Sequence, residues 1–217
     1  MLSSLSGAAR RRLKWFEKNP PEWGPDDIRI VLNESAWARK GTLEATPDAI
    51  SPDEKGKRSP VADGIRDKRI IAGFEVLVRW ESGLPVRLAQ KRPPSAADGG
   101  VSYMLSVSRL PMPLLMAVFS NGAAGGQMKR PQNNRELAED VAKLSSLERD
   151  NKDPIHADRA EWADFDFGSE ILISFSNVRQ PIELSDRVVI FRSQIGSLIV
   201  RAEFQLKPMV FKGKLEL

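Results

Sequence analysis

The chain reads as a mainly β protein, an antiparallel β-sandwich or partly open barrel with two or three short peripheral helices. Three observations predict this. From Pro181 to Leu217 strand-like alternation is almost unbroken: Leu198, Val200, Ala202, Phe204 and Leu206 share one face, while Ile199, Arg201, Glu203, Gln205 and Lys207 share the other. A second run, Arg69 to Glu81, sets Phe74, Val76, Val78 and Trp80 against Glu75, Leu77, Arg79 and Glu81, with the first face buried. The β-α-β spacing of a parallel sheet is missing, and no internal repeat of fixed period is found.

The elements follow in order. Ser3 to Lys18 has the composition of a short basic helix, ended by Asn19-Pro20-Pro21 because proline disfavours helical geometry in the residue before it. Residues 1–25 are thus expected to be a basic N-terminal extension to a single β-rich domain at 26–217. Asp26 or Asp27 caps a second helix with Ile28, Val31, Leu32 and Ser35 on one face, and Trp37 just beyond anchors it to the sheet. Gly41 to Ala45 is a first strand, and Pro47 to Lys68, rich in proline, glycine and charge, predicts a mobile loop.

Leu84 to Lys91 fits a short helix, and Arg92 to Gly100 a loop before the strand Val101 to Val107. Leu110 to Arg130, apolar and then glycine-rich, carries no decisive period. Asn134 to Leu144 is helical in composition, with Leu137, Val141 and Leu144 on one face. After a turn at Asp150 to Pro154, strands are expected at Glu161–Phe167, Glu170–Ser176, Ile182–Leu184, Arg187–Arg192, Leu198–Lys207 and Met209–Lys212. Gln194 to Ser197 is read as a hairpin connection, and Lys214 to Leu217 as a strand-like tail within the core.

Composition removes several chemistries. A chain of 217 residues without cysteine has no disulfide, thiolate nucleophile or cysteine-containing zinc site. His156 is the single histidine, so a site needing two imidazoles from one chain is excluded and any metal would be oxygen-bound. The charge of +4 is interspersed, which favours solubility over nucleic-acid binding. The longest apolar run, Leu110 to Phe119, is broken by Pro111 and Pro113 and is too short to cross a bilayer. Met1 to Lys18 shows no apolar stretch after its basic residues, so no secretory signal is expected there.

Candidate sites are few. Asp164 and Asp166 resemble an oxygen-rich cation loop, but the interleaved Phe165 and Phe167 favour a half-buried strand. His156 with Asp153 or Asp158 has the makings of a histidine–carboxylate pair, yet no G-x-S-x-G elbow supplies a nucleophile. Gly122, Gly125 and Gly126 lack the spacing of a phosphate loop. Glu75 and Glu81 share a strand face, but six residues set them roughly 20 Å apart, too far for a glycosidase pair.

Arg10 to Lys14 with Trp15 and Phe16, and Lys129-Arg130, are the basic groups available to nucleic acid, a partner that so balanced a charge disfavours. Trp37, Trp80, Phe74, Phe165 and Phe167 are expected in the core, whereas Trp162, flanked by Glu161 and Asp164, suits a carbohydrate or peptide contact. Trp162, His156 and Arg130 are the candidate binding residues. No catalytic residue, metal ligand or cofactor is assigned.

Asp26-Asp27-Ile28 to Leu32, Glu34-Ser35-Ala36-Trp37-Ala38, Val78-Arg79-Trp80-Glu81-Ser82 with Leu84-Pro85-Val86-Arg87, Leu147-Glu148-Arg149, Pro154-Ile155-His156, and Lys207-Pro208-Met209 to Gly213-Lys214-Leu215-Glu216-Leu217 form a pattern. It resembles a group of uncharacterised bacterial proteins, over most of the chain from about Asp26 onward; Ala36 stands where that pattern usually has proline. The group's members usually begin with an export signal, so the resemblance implies a periplasmic or envelope setting and no known activity. The reading reached is a non-enzymatic β-rich binding or assembly module of the bacterial cell envelope, acting on another envelope protein, a carbohydrate or a peptide, with strand addition at a free edge as one mode. The alternative is a hydrolase with a carboxylate- or serine-based site in the loops between Pro47 and Pro154.

Overall fold

The alternation that marks the C-terminal run builds the most regular part of the molecule. A computed structural model describes residues 15–46, 75–91, 102–110, 134–165, 168–176, 178–196 and 198–217. In chain order, β1 (Ala38–Ala45), β2 (Val76–Trp80), β3 (Tyr103–Ser108), β4 (Ser145–Arg149), β5 (Lys152–His156), β6 (Arg159–Phe165), β7 (Gly168–Phe175), β8 (Val188–Ile195) and β9 (Leu198–Gln205) form one nine-stranded sheet. Its order is β5-β4-β8-β9-β1-β2-β3-β7-β6, and every pairing is antiparallel.

β8 and β9 are joined across two residues, from Ile195 paired with Leu198, with Gly196 supplying the positive φ of 59° that such a turn needs. Leu198, Val200, Ala202, Phe204 and Leu206 are buried, and Arg201, Glu203 and Gln205 are exposed, as the alternation predicts.

Two corners curl the sheet into a partly open barrel. β1 is shared: Ala38 to Gly41 pair with β2, and Thr42 to Ala45 pair with β9. Gly41 sits at the change of partner, where a Cβ would lie 3.3 Å from both Val78 and Val200, so only glycine lets the two halves approach this closely without displacing a neighbour. The opposite corner lies at the two edge strands, β5 and β6, which are separated only by Ala157 and Asp158. The Ala157 N–H donates to the Ser145 carbonyl (3.0 Å), and the Asp158 N–H to that of Ser174 (3.1 Å). The chain thus steps from β4 on one half to β7 on the other.

The interior is packed with side chains. Val76, Val78 and Trp80 from β2, Tyr103, Leu105 and Val107 from β3, and Ile171, Ile173 and Phe175 from β7 meet Leu147, Phe191, Val200 and Phe204 of the other half in one cluster. Trp80 stands edge-on to Phe204 at 5.3 Å, a direct contact between halves. Replacing Phe204 with alanine removes a fully buried ring at that contact, and a loss of about 3–5 kcal/mol is expected in a denaturant titration.

The helices lie at the periphery. α1 (Pro25–Glu34) begins with Pro25 in its first turn, where its missing N–H costs nothing, and Asp27 accepts a hydrogen bond from the Gly24 N–H at 3.0 Å. α2 (Leu84–Ala89) starts at Gly83, and α3 (Asn134–Lys143) packs Leu137 and Val141 into the core while touching β6, β7 and β8. α3 therefore spans the seam between the two halves.

Several expectations shift. The segment from Trp15 is not detached from the barrel: Trp15 and Trp23 are buried in the common core, and the Trp23 indole donates to the Trp15 carbonyl at 3.0 Å. Both sides of β2 are buried: Leu77 and Glu81 on the outer face are covered as well, with α1 packed against the strand and Gln90 bonded to Glu81. The expected turn at Asp150 to Pro154 is a hairpin, β4–β5, with Arg149 paired to Lys152; Asn151 takes the positive φ of 53°, and an edge strand tolerates Pro154.

Ile182 to Leu184 is not a strand, since side chains satisfy its N–H groups and a 3₁₀ turn, Leu184–Asp186, follows. The C-terminal run shortens to a 3₁₀ turn, Lys207–Met209, and a two-stranded ribbon of β10 (Val210–Phe211) and β11 (Lys214–Leu215). Its tail is nevertheless docked: the Glu216 N–H donates to the Met209 carbonyl, and Leu215 and Leu217 pack on the core. The expected loop at 47–68, and Phe74 with the start of its strand, lie outside the described residues.

Candidate functional site

Of the binding residues nominated from sequence, His156 and Trp162 lie among the described residues, on the edge strands β5 and β6. His156 ends β5, is exposed, and pairs across the ladder with Ser146. Trp162 lies in the middle of β6 opposite Ile171, half-buried and packed against the core. Arg130 and the glycines at 122–126 lie outside the described residues, as do Asp166 and Phe167. Residues Arg159–Phe165 form a strand, the reading favoured over a cation loop, and among the described residues no group of three or more His, Asp or Glu side chains converges as metal ligands. Trp37 and Trp80 are core residues. Glu75 is exposed and paired with Lys40, while Glu81 is buried, so these two acids share no site.

Two polar clusters emerge that the one-dimensional pattern does not display. The first lies on the outer face of β2, β3 and β7. Arg79 donates to Glu81 (Nε, 2.6 Å) and to Glu170 (3.0 Å), and more weakly to the Leu32 carbonyl of α1 (3.4 Å). Ser106 Oγ and Gln90 Nε2 donate to the two oxygens of Glu81 at 2.6 and 2.9 Å. The guanidinium thus bridges two carboxylates, and Arg79 and Glu170 retain 12% side-chain exposure each against none for Glu81. Its evident role is to hold the outer face of the sheet to α1 and to the residue following α2.

The second cluster underlies an open cleft of about 760 Å³, lined by Asn151, Lys152 and Asp153 from the β4–β5 hairpin and by Arg179, Gln180, Pro181 and Glu183 from the segment before β8. Arg149, only 8% exposed, lies beneath both walls: one amino group donates to the Asp153 carbonyl (3.1 Å), the other to the Gln180 carbonyl (3.0 Å). The second wall is fixed at further points. Tyr103 Oη accepts the Ile182 N–H at 2.7 Å, and Asp186 accepts the Glu183 N–H at 2.9 Å while pairing with Lys152 at 2.5 Å. Asn151 and Arg187 adopt positive φ of 53° and 60°, and the Arg187 carbonyl is tied to the Leu206 N–H at 2.9 Å. Strained backbone of this kind persists where surrounding bonds over-determine it.

These contacts set the electrostatics. Burial pushes the Asp186 carboxyl up, but the Glu183 N–H, the Lys152 hydrogen bond and charge, and the Arg149 charge outweigh it, leaving the group below its ordinary value. Asp27 is lowered as well, chiefly by the hydrogen bond from Lys18 at 2.6 Å. Burial pushes Tyr103 above its ordinary value, against the Ile182 N–H and the Arg149 charge, with Asp186 reinforcing the rise.

The signs give a two-ended prediction. Carboxyls lowered on folding contribute stability that is complete at neutral pH and is lost as pH falls from about 4 through their folded values. A raised tyrosine contributes stability present below about pH 10 and lost as pH rises through its folded value. Denaturant midpoints measured across pH are expected to fall at both ends, with Asp186→Asn flattening the acid limb and Tyr103→Phe the alkaline one.

Of the cleft walls the sequence reading nominates Asp153 alone, as a carboxylate partner of His156, and it assigns no site role to Arg149, Tyr103 or Asp186. Two signals were present: Tyr103 is the chain's one tyrosine, and Glu183 and Asp186 are spaced as a cap-and-turn. Comparison of the chain with protein-family models, with curated proteins and with solved structures finds no match.

Proposed function

We propose that this protein is a non-catalytic binding module, and that its cleft at Asn151–Asp153 and Arg179–Glu183 takes an extended polar peptide segment of a partner protein. The carrying observation is Arg149, a buried guanidinium holding both walls by their backbone carbonyls, which keeps the cleft formed before anything binds. Preorganisation of this kind spares a ligand the cost of ordering the site. The lining offers Lys152 and Arg179 beside Asp153 and Glu183, a mixed set matching the alternating donors and acceptors of a peptide. None of the seven lining residues is aromatic, which favours peptide over a carbohydrate that would stack on rings.

Strand addition at β5 is disfavoured by its own residues, for Lys152 and Pro154 are the guards that edge strands use against pairing. The bacterial envelope setting rests on the sequence resemblance, with another envelope protein as the natural source of the peptide. The alternative reading, a hydrolase with a carboxylate- or serine-based site in the loops between Pro47 and Pro154, would be established by turnover in a substrate screen.

The test of the cleft uses peptides enriched from a displayed random library on the full chain. Reversal of two lining charges, Arg179→Glu with Asp153→Lys, is expected to weaken their binding by about tenfold or more, read by fluorescence anisotropy. Unchanged affinity in a folded variant would remove the cleft from the interface.

A further inference from the structure

We propose that this chain forms a two-fold symmetric dimer through the outer face of β1, β9, β8 and β4. The ladder registers set the side chains of that face in rows across the strands. One row reads Thr42, Arg201, Arg192, Ser146 and His156, and the next, two places along each strand, reads Glu203, Ile190 and Glu148. Arg192, Arg201 and Glu203 are exposed, while Ile190 and Glu148 are half-buried. A row with two cations thus lies beside a row with two carboxylates.

Two features leave charge on this face uncompensated in a single copy. Arg192 and Arg201 stand directly opposite one another on neighbouring strands, a pairing that destabilises a sheet. Among the described residues neither guanidinium has an ion-pair partner, and nor has the Glu148 carboxylate, while Glu203 accepts a hydrogen bond from Gln205 at 2.8 Å. Other exposed arginines are paired: Arg29, Arg135 and Arg159 meet Glu34, Glu139 and Glu161.

A second copy supplies the missing partners, and the row pattern fixes its orientation. A two-fold axis between two facing copies, parallel to the rows and midway between them, sets each residue opposite the one two places along its own strand. Arg201 then meets Glu203 of the second copy, and Glu203 meets Arg201. Arg192 meets Ile190, whose row neighbours are Glu203 and Glu148, so its stem covers an apolar side chain while its guanidinium lies between two carboxylates. Strands ~4.8 Å apart with ~3.4 Å per residue give the face roughly 400 Å² in projection, which places the dimer at the small, dissociable end of specific interfaces. Nucleic acid or an anionic membrane laid on the arginines would instead meet Glu203 and Glu148 in the adjacent row.

The experiment is sedimentation velocity of the full chain over a range of concentrations. A monomer–dimer equilibrium is expected, weakened by salt. Arg201→Glu and Glu203→Arg should each weaken it about tenfold or more, with an unchanged near-UV spectrum because both positions are exposed. Mixing the two variants in equal amounts, or combining both changes in one chain, should restore the dimer, since each charge again faces its opposite. A chain monomeric at every concentration, a dimer indifferent to either reversal, or a mixture of the two variants that stays monomeric would overturn the proposal. Peptide capture by the cleft is independent of each of these outcomes.

Discussion

Gly83→Ala is expected to lower the stability of this protein by about 3 kcal/mol, a drop in melting temperature of roughly 6–12 °C for a chain this long. The backbone is not the reason, since Gly83 has a φ of −61° that alanine adopts freely. The reason is space: a Cβ there would lie 2.5 Å from Trp37 Cδ1 and 2.8 Å from Nε1. Trp37 has nowhere to go, because its ring is buried, its Nε1 donates to the Glu216 carbonyl at 2.6 Å, and Trp15 stands against it edge-on at 6.2 Å. One methyl group thus loads the joint between the start of α2, the N-terminal aromatic cluster and the C-terminal tail. Gly213→Ala is the contrasting case, with φ of +82° and no atom within 4 Å of the added carbon, and its cost of about 1 kcal/mol would be purely conformational. A melting curve for Gly83→Ala within a degree of the parent would show that Trp37 is less firmly held than these contacts require.

Arg79→Met is expected to cost about 3–5 kcal/mol, because it leaves Glu81 and Glu170 facing one another with no cation between them. Burial decides the size. Arg29 and Glu34 also sit 2.6 Å apart, but their side chains retain 58% and 33% exposure, and Arg29→Ala should change stability by about 0.5 kcal/mol or less. Adding Glu81→Gln to Arg79→Met should recover part of the loss, since an amide can stay near Ser106 and Gln90 without a charge. Urea titrations of the three variants check the order, and equal effects for Arg79→Met and Arg29→Ala would contradict it.

The sequence discloses the parts of this fold that repeat a local rule. β9 is legible because from Val200 onward its inner residues, Val200 to Phe204, and its outer ones, Arg201 to Gln205, differ in polarity at every step. β2 is less so, because its outer face is buried too and Glu81 is bonded there to Arg79 rather than being of apolar character. The β4–β5 hairpin escapes notice since Pro154 and a run of charges resemble a loop, while an edge strand tolerates both. The packing of Trp15 and Trp23 against Phe211 is invisible to any local pattern, because it joins the two ends of the sequence.

The cleft is less legible in the sequence for the same reason. Arg149 acts on carbonyls of Asp153 and Gln180, and backbone carbonyls carry no signature in a sequence. His156 and Trp162 draw attention by residue type alone, and the barrel wall assigns them to an exposed strand end and to core packing.

The most direct test of the cleft as a preformed peptide site is to map where a selected peptide lands. Amide shifts of the isotope-labelled full chain, followed while a library-selected peptide is added, should move at Asn151 to Asp153 and at Arg179 to Glu183. They should leave the exposed face of β9 unmoved, and Arg149→Met should abolish the response while the remaining spectrum stays folded. Shifts centred elsewhere on the barrel, or a response that survives Arg149→Met undiminished, would contradict the assignment.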